Sequence, residues 1–144
     1  LHQNIPAEFY GFEFQSNVNL AANYGLNYWG DYVRAKNKDG GDLPRIPPLT
    51  LGSGLTYQFN ALQASIDVEH NFSQSDVAAG ELKTDDYTNL SLTMNYDLPY
   101  VEGLTAFIKG DNLLDEERRD HTSFLKDKVL LGERAFMIGI TGSF

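Results

Sequence analysis

Polar and apolar residues alternate along most of this chain, and a period of two marks β-strands rather than helices. In the stretch LQASIDVEHN, Leu62, Ala64, Ile66, Val68 and His70 share one parity, while Gln63, Ser65, Asp67 and Glu69 share the other. YTNLSLTMNYDL repeats this, with Leu90, Leu92, Met94, Tyr96 and Leu98 against Asn89, Ser91, Thr93, Asn95 and Asp97. LTLGSGLTYQF, LAANYGLNYW and the closing RAFMIGITGSF alternate in the same way. With AEFYGFEFQ at the start and LTAFIKGDN near the end, the pattern predicts seven strands and no helix.

The connections alternate in length. A quick turn is expected around Ser16–Asn19, another at Asn60–Ala61, and a third in PYVEG; between them lie the long polar stretches AKNKDGGDLPRIP, FSQSDVAAGELKTD and Leu113 to Glu133. Short and long connections in alternation are the signature of antiparallel strands with tight turns at one end and long loops at the other. The polar parity carries Gly, Ser, Thr, Asn and Gln rather than the Lys and Glu of an open solvated face, which suits a wet barrel lumen. Phe14, Tyr57, Phe59, Tyr96 and Phe144 are expected near the short-turn end with outward parity, as one aromatic girdle at a water–lipid interface, with Tyr28 and Tyr32 towards the other. The pattern therefore predicts an all-β, antiparallel transmembrane β-barrel. The rival is a soluble lipocalin-like binding barrel with the same apolar parity turned inward. Seven strands leave an edge that lipid does not tolerate, so the barrel is expected to be incomplete in this chain.

Composition narrows the function. The 144 residues carry a formal net charge of -9, which argues against a nucleic-acid partner, since that needs a basic face. There is no cysteine, hence no disulfide and no thiolate metal site. No run of about 18 apolar residues predicts a transmembrane helix, and the start LHQNIPAEF does not read as a signal peptide. No Ser–His–Asp arrangement, phosphate-binding glycine loop or pair of carboxylates in an apolar cleft suggests an enzyme.

Five segments, in order, resemble TonB-dependent outer-membrane receptors: AEFYGFEFQSNVNL, RIPPLTLGSGLTYQF, TDDYTNLSLTMNY, GDNLLDEERRDH with its Asn–Leu–x–Asp element, and GERAFMIGITGSF with its terminal Phe. The resemblance implies that residues 1–144 are the last seven strands of a 22-stranded barrel, with the plug domain absent. It implies import of a scarce nutrient across the outer membrane of a Gram-negative bacterium, with partners in the TonB energy-transducing complex (through the missing N-terminal part) and the barrel-assembly machinery. Phe144 resembles the signal that machinery reads. RRDHTSFLKDKVLLGER most resembles the zinc-uptake subgroup, making zinc the expected transported ligand, with a haem or iron-chelate (siderophore) cargo as the alternative of the same architecture. LLGER departs from the Pro–Gly–Arg commoner there.

Candidate sites follow. His121 beside Asp120, near Asp115, Glu116 and Glu117, offers nitrogen and oxygen ligands to a metal, and His2 near the first strand's start is a further candidate. A single imidazole falls short of four tetrahedral ligands, and the competing reading is a solvated acidic loop. Asp67, Glu69, Lys109 and Asp111 have lumenal parity and are expected to line the permeation route. His70 has outward parity and is set aside. Arg134 is a candidate partner for lipopolysaccharide phosphates, alongside outer-membrane lipid.

Overall fold

A computed structural model of the chain describes residues 6–143, so His2 and Phe144 lie outside the described residues. Seven strands form one sheet in sequence order: β1 (Ala7–Ala21), β2 (Tyr24–Asn37), β3 (Thr50–Phe59), β4 (Leu62–Asn71), β5 (Tyr87–Asp97), β6 (Leu104–Asp111) and β7 (Ala135–Gly142). Every neighbouring pair is antiparallel. The described residues contain no helix.

The register turns the period of two into two continuous faces. Leu26 faces Leu55, Leu55 faces Ile66, and Ile66 faces Leu92, and further along the sheet Met94 faces Ile108 and Ile108 faces Ile138. On the opposite face Asn27, Gly54, Asp67 and Ser91 form one row. A slip of one residue anywhere would exchange the faces, so the pattern fixes the pairing.

Among the described hydrophobic residues, Ala35 alone is buried, while Leu51, Leu55, Ile66, Val68, Ile138 and Ile140 are exposed to different degrees. A soluble domain cannot leave so continuous an apolar face in water, because burial of such surface is what stabilises it. A lipid-facing wall can. The outer edges of β1 and β7 pair with no described strand.

The expected turn at Ser16–Asn19 is corrected. β1 runs on to Ala21, and the chain reverses at Ala22–Asn23 after an irregular register step between Asn19 and Ala21. Asn17 and Asn19 are wall residues opposite Asn27 and Gly25, not turn residues. Phe14 therefore stands mid-strand opposite Gly30, not at the short-turn end; its ring packs against Phe12 and Tyr28 at 6.4 and 6.5 Å. Tyr57, Phe59 and Tyr96 do lie at that end, opposite Ala64, Leu62 and Leu62. Tyr24 joins them, its ring 4.9 Å from that of Tyr57.

β3 needs a glycine at position 52 for close approach. The Trp29 indole lies across it, and a Cβ there would run into the ring. The same indole donates Nε1–H to Glu69 Oε2 at 3.1 Å, tying β2 to β4 across β3. Gly52→Val is expected to push the indole off this seat and cost about 1–3 kcal/mol. A lower fraction of protein showing heat-modifiable migration is the readout.

Candidate functional site

The long connections do not wave freely above the sheet. They fold onto one another around the Glu81 carboxylate, whose side chain is only 9% exposed. Its Oε1 accepts from Lys126 Nζ at 2.6 Å and from the Arg45 amide at 2.8 Å, and its Oε2 accepts from the Ala78 amide at 3.0 Å. Arg45 belongs to the β2–β3 loop, Ala78 to the β4–β5 loop and Lys126 to the β6–β7 loop, so one carboxylate joins all three. Gln74 reinforces the joint by donating Nε2–H to the Ile46 and Pro47 carbonyls. The Arg45 guanidinium sits 4.0 Å above the Phe124 ring, a cation–π contact between the first and third loops. At the base, Arg34 pairs with Asp42 at 3.0 Å and also with Asp76.

His121 lies inside this joint, 3% exposed. Lys126 Nζ is 3.3 Å from its Nε2, and an ammonium can only donate, so Nε2 accepts. The ring proton then sits on Nδ1 and is donated to Thr84 Oγ1 at 2.9 Å. Both ring nitrogens are thus committed to protein partners. Burial, then the Lys126 charge, hold the imidazole below its ordinary pKa, against the opposing pull of Glu81 and Asp120. Burial works the other way on Glu81, but the hydrogen bonds from Lys126, Arg45 and Ala78 outweigh it and hold that carboxyl below its usual range.

Both shifts have the same sign for stability. The unfolded joint binds more protons than the folded one below the ordinary histidine value of 6.5, and further below the ordinary glutamate value of 4.5. The joint is therefore fully stable at neutral pH and loosens in two stages on acidification. Hydrogen exchange in residues 112–134, compared at about pH 7.5 and about pH 5.5 after correction for intrinsic rates, is expected to rise. An unchanged corrected rate would remove His121 from this account.

The carboxylates of the acidic run are held in separate tethers. Asp111 pairs with Arg118 at 2.8 Å, Asp115 with Arg134 at 2.7 Å, and Glu117 with Arg119 at 2.6 Å. Glu116 Oε2 accepts the Thr88 amide at 2.6 Å, and Asp120 Oδ1 accepts the amide and hydroxyl of Thr122. Among the described residues no group of three or more His, Cys, Asp or Glu is arranged to hold a metal ion. The solvated-loop reading of His121 is corrected as well: Arg118, His121 and Lys126, all from the motif read as zinc-related, are buried. Arg134 already has its anionic partner in Asp115.

The foot of the third loop is organised by Asn112, fully buried with a left-handed φ of 50° that Asn tolerates better than most residues. Its Nδ2 donates to the carbonyls of Glu116 and Gly132 at 2.9 and 3.3 Å, and its Oδ1 accepts the Glu116 amide at 3.1 Å. Its own amide reaches Asn89 Oδ1 on β5. Arg118 closes the same foot, with Nη2 shared between Asp111 and the Gly132 carbonyl. This explains why an Asn–Leu–x–Asp element ends β6: the Asn staples the two ends of a long loop together.

Asp67, Glu69 and Asp111 fall on the polar face as expected, Asp67 in the row of Asn27 and Gly54, Glu69 under Trp29 and Asp111 under Arg118. Lys109 shares that face opposite Thr93 and Met137, its ammonium 5.7 Å from the Phe107 ring. His70 turns to the apolar face, its Nδ1 3.0 Å from Thr88 Oγ1 and its ring edge-on to Phe72 at 4.5 Å.

Comparison with known proteins gives this architecture a class. The TonB dependent receptor-like, beta-barrel family matches residues 1–113. The chain belongs to that family, whose members are outer-membrane proteins of Gram-negative bacteria. Among solved structures, the chain is similar to "Copper transporter OprC", with 24% identity and a TM-score of 0.88 over 98% of this chain and 24% of that one. It is also similar to the ferric yersiniabactin uptake receptor FyuA from Yersinia pestis, with 17% identity and a TM-score of 0.66 over 93% of this chain and 23% of that one. The chain thus spans about a quarter of the length of each of these two proteins.

Proposed function

We propose that this chain is the C-terminal part of a TonB-dependent receptor that imports a metal ion or metal chelate across the outer membrane, with zinc as its cargo. The carrying observation is a family barrel wall, apolar on one face and polar on the other, that rises into three loops joined at Glu81. Zinc rests on the sequence resemblance of Arg118 to Asp127. In the structure that motif works as loop packing, so the metal ligands belong elsewhere in the intact receptor. Likeness to a copper transporter favours copper as the second reading, and likeness to a ferric yersiniabactin receptor keeps an iron chelate third. The family leaves a soluble lipocalin-like carrier without support.

The remaining assignments follow from this reading. The open edges of β1 and β7 pair with the other strands of a 22-stranded barrel, because unpaired backbone in lipid is too costly. Tyr24, Tyr57, Phe59 and Tyr96 sit in the periplasmic interface, and the joined loops face the medium. Energy comes from the TonB complex through the plug, Phe144 serves barrel assembly, and Asp67, Glu69, Lys109 and Asp111 line the lumen.

Deleting the parent gene is expected to lower accumulation of radioactive zinc in zinc-depleted medium by about tenfold, restored by the intact gene. Unchanged zinc accumulation with lost copper or iron-chelate accumulation would overturn the zinc assignment.

A further inference from the structure

Each of the three long loops is tied to both of the others. The first, between β2 and β3, meets the second, between β4 and β5, where Glu81 accepts the Arg45 amide at 2.8 Å and Gln74 donates to the Ile46 and Pro47 carbonyls. The Phe72 amide adds a bond of 2.9 Å to the Leu49 carbonyl. The second loop meets the third, between β6 and β7, through the Glu81–Lys126 pair at 2.6 Å and the Thr84–His121 bond at 2.9 Å. The third returns to the first through Phe124, whose ring lies under the Arg45 guanidinium. Three bodies joined pairwise make a closed triangle, and none can swing without breaking the contacts on two sides.

The loops are also pinned across themselves. The Leu43 amide donates to the Ala35 carbonyl at 3.1 Å in the first, Gln74 and Thr84 exchange backbone bonds of 2.9 and 3.3 Å in the second, and the Leu131 amide donates to the Arg118 carbonyl at 2.9 Å in the third. Segments that act as lids come from the weakly held end of a structure, with few buried contacts. These loops are the opposite. Parting the second from the third would leave the Lys126 ammonium and the Glu81 carboxylate, each 9% exposed, without each other. We propose that the three loops form a single fixed post, which borders the cargo entrance and keeps its shape as cargo passes, so that opening and closing belong to the part of the receptor outside this chain. The role at an entrance rests on the transport reading; the rigidity rests on the loop contacts alone.

A reversible bridge tests whether the post must move. Arg45 and Phe124 are both exposed, so Arg45→Cys with Phe124→Cys in the intact receptor lets a bis-methanethiosulfonate join the first and third loops on whole cells. Accumulation of radioactive zinc by the bridged receptor is expected to stay within about twofold of the wild type. A fall of about tenfold or more that dithiothreitol reverses by cleaving the bridge overturns the proposal. The second measurement needs neither a variant nor a cargo. In the unmodified receptor the Arg45, Ala78 and Leu131 amides, one from each loop, are expected to exchange hydrogen at least about tenfold more slowly than their intrinsic rates. Exchange at the intrinsic rate in any one of the three overturns the proposal. A wild-type receptor that accumulates no zinc, copper or iron chelate would count against the transport reading alone, and the exchange rates would still decide whether the post is fixed.

Discussion

Replacing Asn112 by alanine is expected to release the third loop and to lower the yield of folded barrel. The side chain, itself fully buried, satisfies two carbonyls and one amide, and its removal strands the carbonyl and amide of Glu116, while the Gly132 carbonyl keeps its bond from Arg118. Unsatisfied buried groups cost about 1–3 kcal/mol each, and partial relaxation brings the total to on the order of 3 kcal/mol. Alanine also tolerates the left-handed backbone at this position less well than asparagine. Glycine removes that second penalty but not the first, so Asn112→Gly is expected to fall between the wild type and Asn112→Ala. Limited proteolysis within residues 112–134 and heat-modifiable migration together read both effects. Wild-type protection in Asn112→Ala would mean that Arg118, which also binds the Gly132 carbonyl, closes the loop alone.

Glu81→Ala is expected to have the larger reach, because it disconnects three loops rather than one. It leaves the Lys126 ammonium buried beside a neutral imidazole and opens the contacts to the Arg45 and Ala78 amides. Breaking a buried ion pair from one side costs about 3–5 kcal/mol, and with both side chains 9% exposed the lower end applies. Lys126→Met in the same background is expected to recover part of the loss, since the orphaned charge goes with it. Hydrogen exchange should rise in residues 38–49, 72–86 and 112–134 together. A rise confined to 72–86 would sink the idea that Glu81 joins the loops.

The strands were legible in the sequence because a two-sided wall writes its pattern directly into residue order. From β3 to β7 the parity of Leu55, Ile66, Leu92, Ile108 and Ile138 is the face they occupy. The first turn was not legible. In Asn17–Asn19 the asparagines alternate with Val18 as a wall residue should, yet asparagine is also a turn former, and Ala22–Asn23 carries no stronger signal. That single misplacement moved Phe14 from mid-strand to the membrane interface. The interior of the loops was hidden for a different reason. Glu81, Thr84 and Gln74 acquire their roles from partners in other loops, dozens of positions away, and no local pattern announces such a pair. His121 was noticed for its chemistry in a charged run, but only the neighbouring loops reveal that its nitrogens are spoken for.

The joining of three loops through one carboxylate also constrains how such receptors can be recombined. A chimera that transplants the third loop alone brings a lysine with no glutamate to meet it, and one that transplants the second brings a glutamate without its lysine or the amide of Arg45. The unit of exchange is therefore the set of three, carried with the strand ends that hold Asn89 and Asn112. Swapping specificity by grafting single loops onto this scaffold would be expected to fail for reasons of folding before recognition is ever tested.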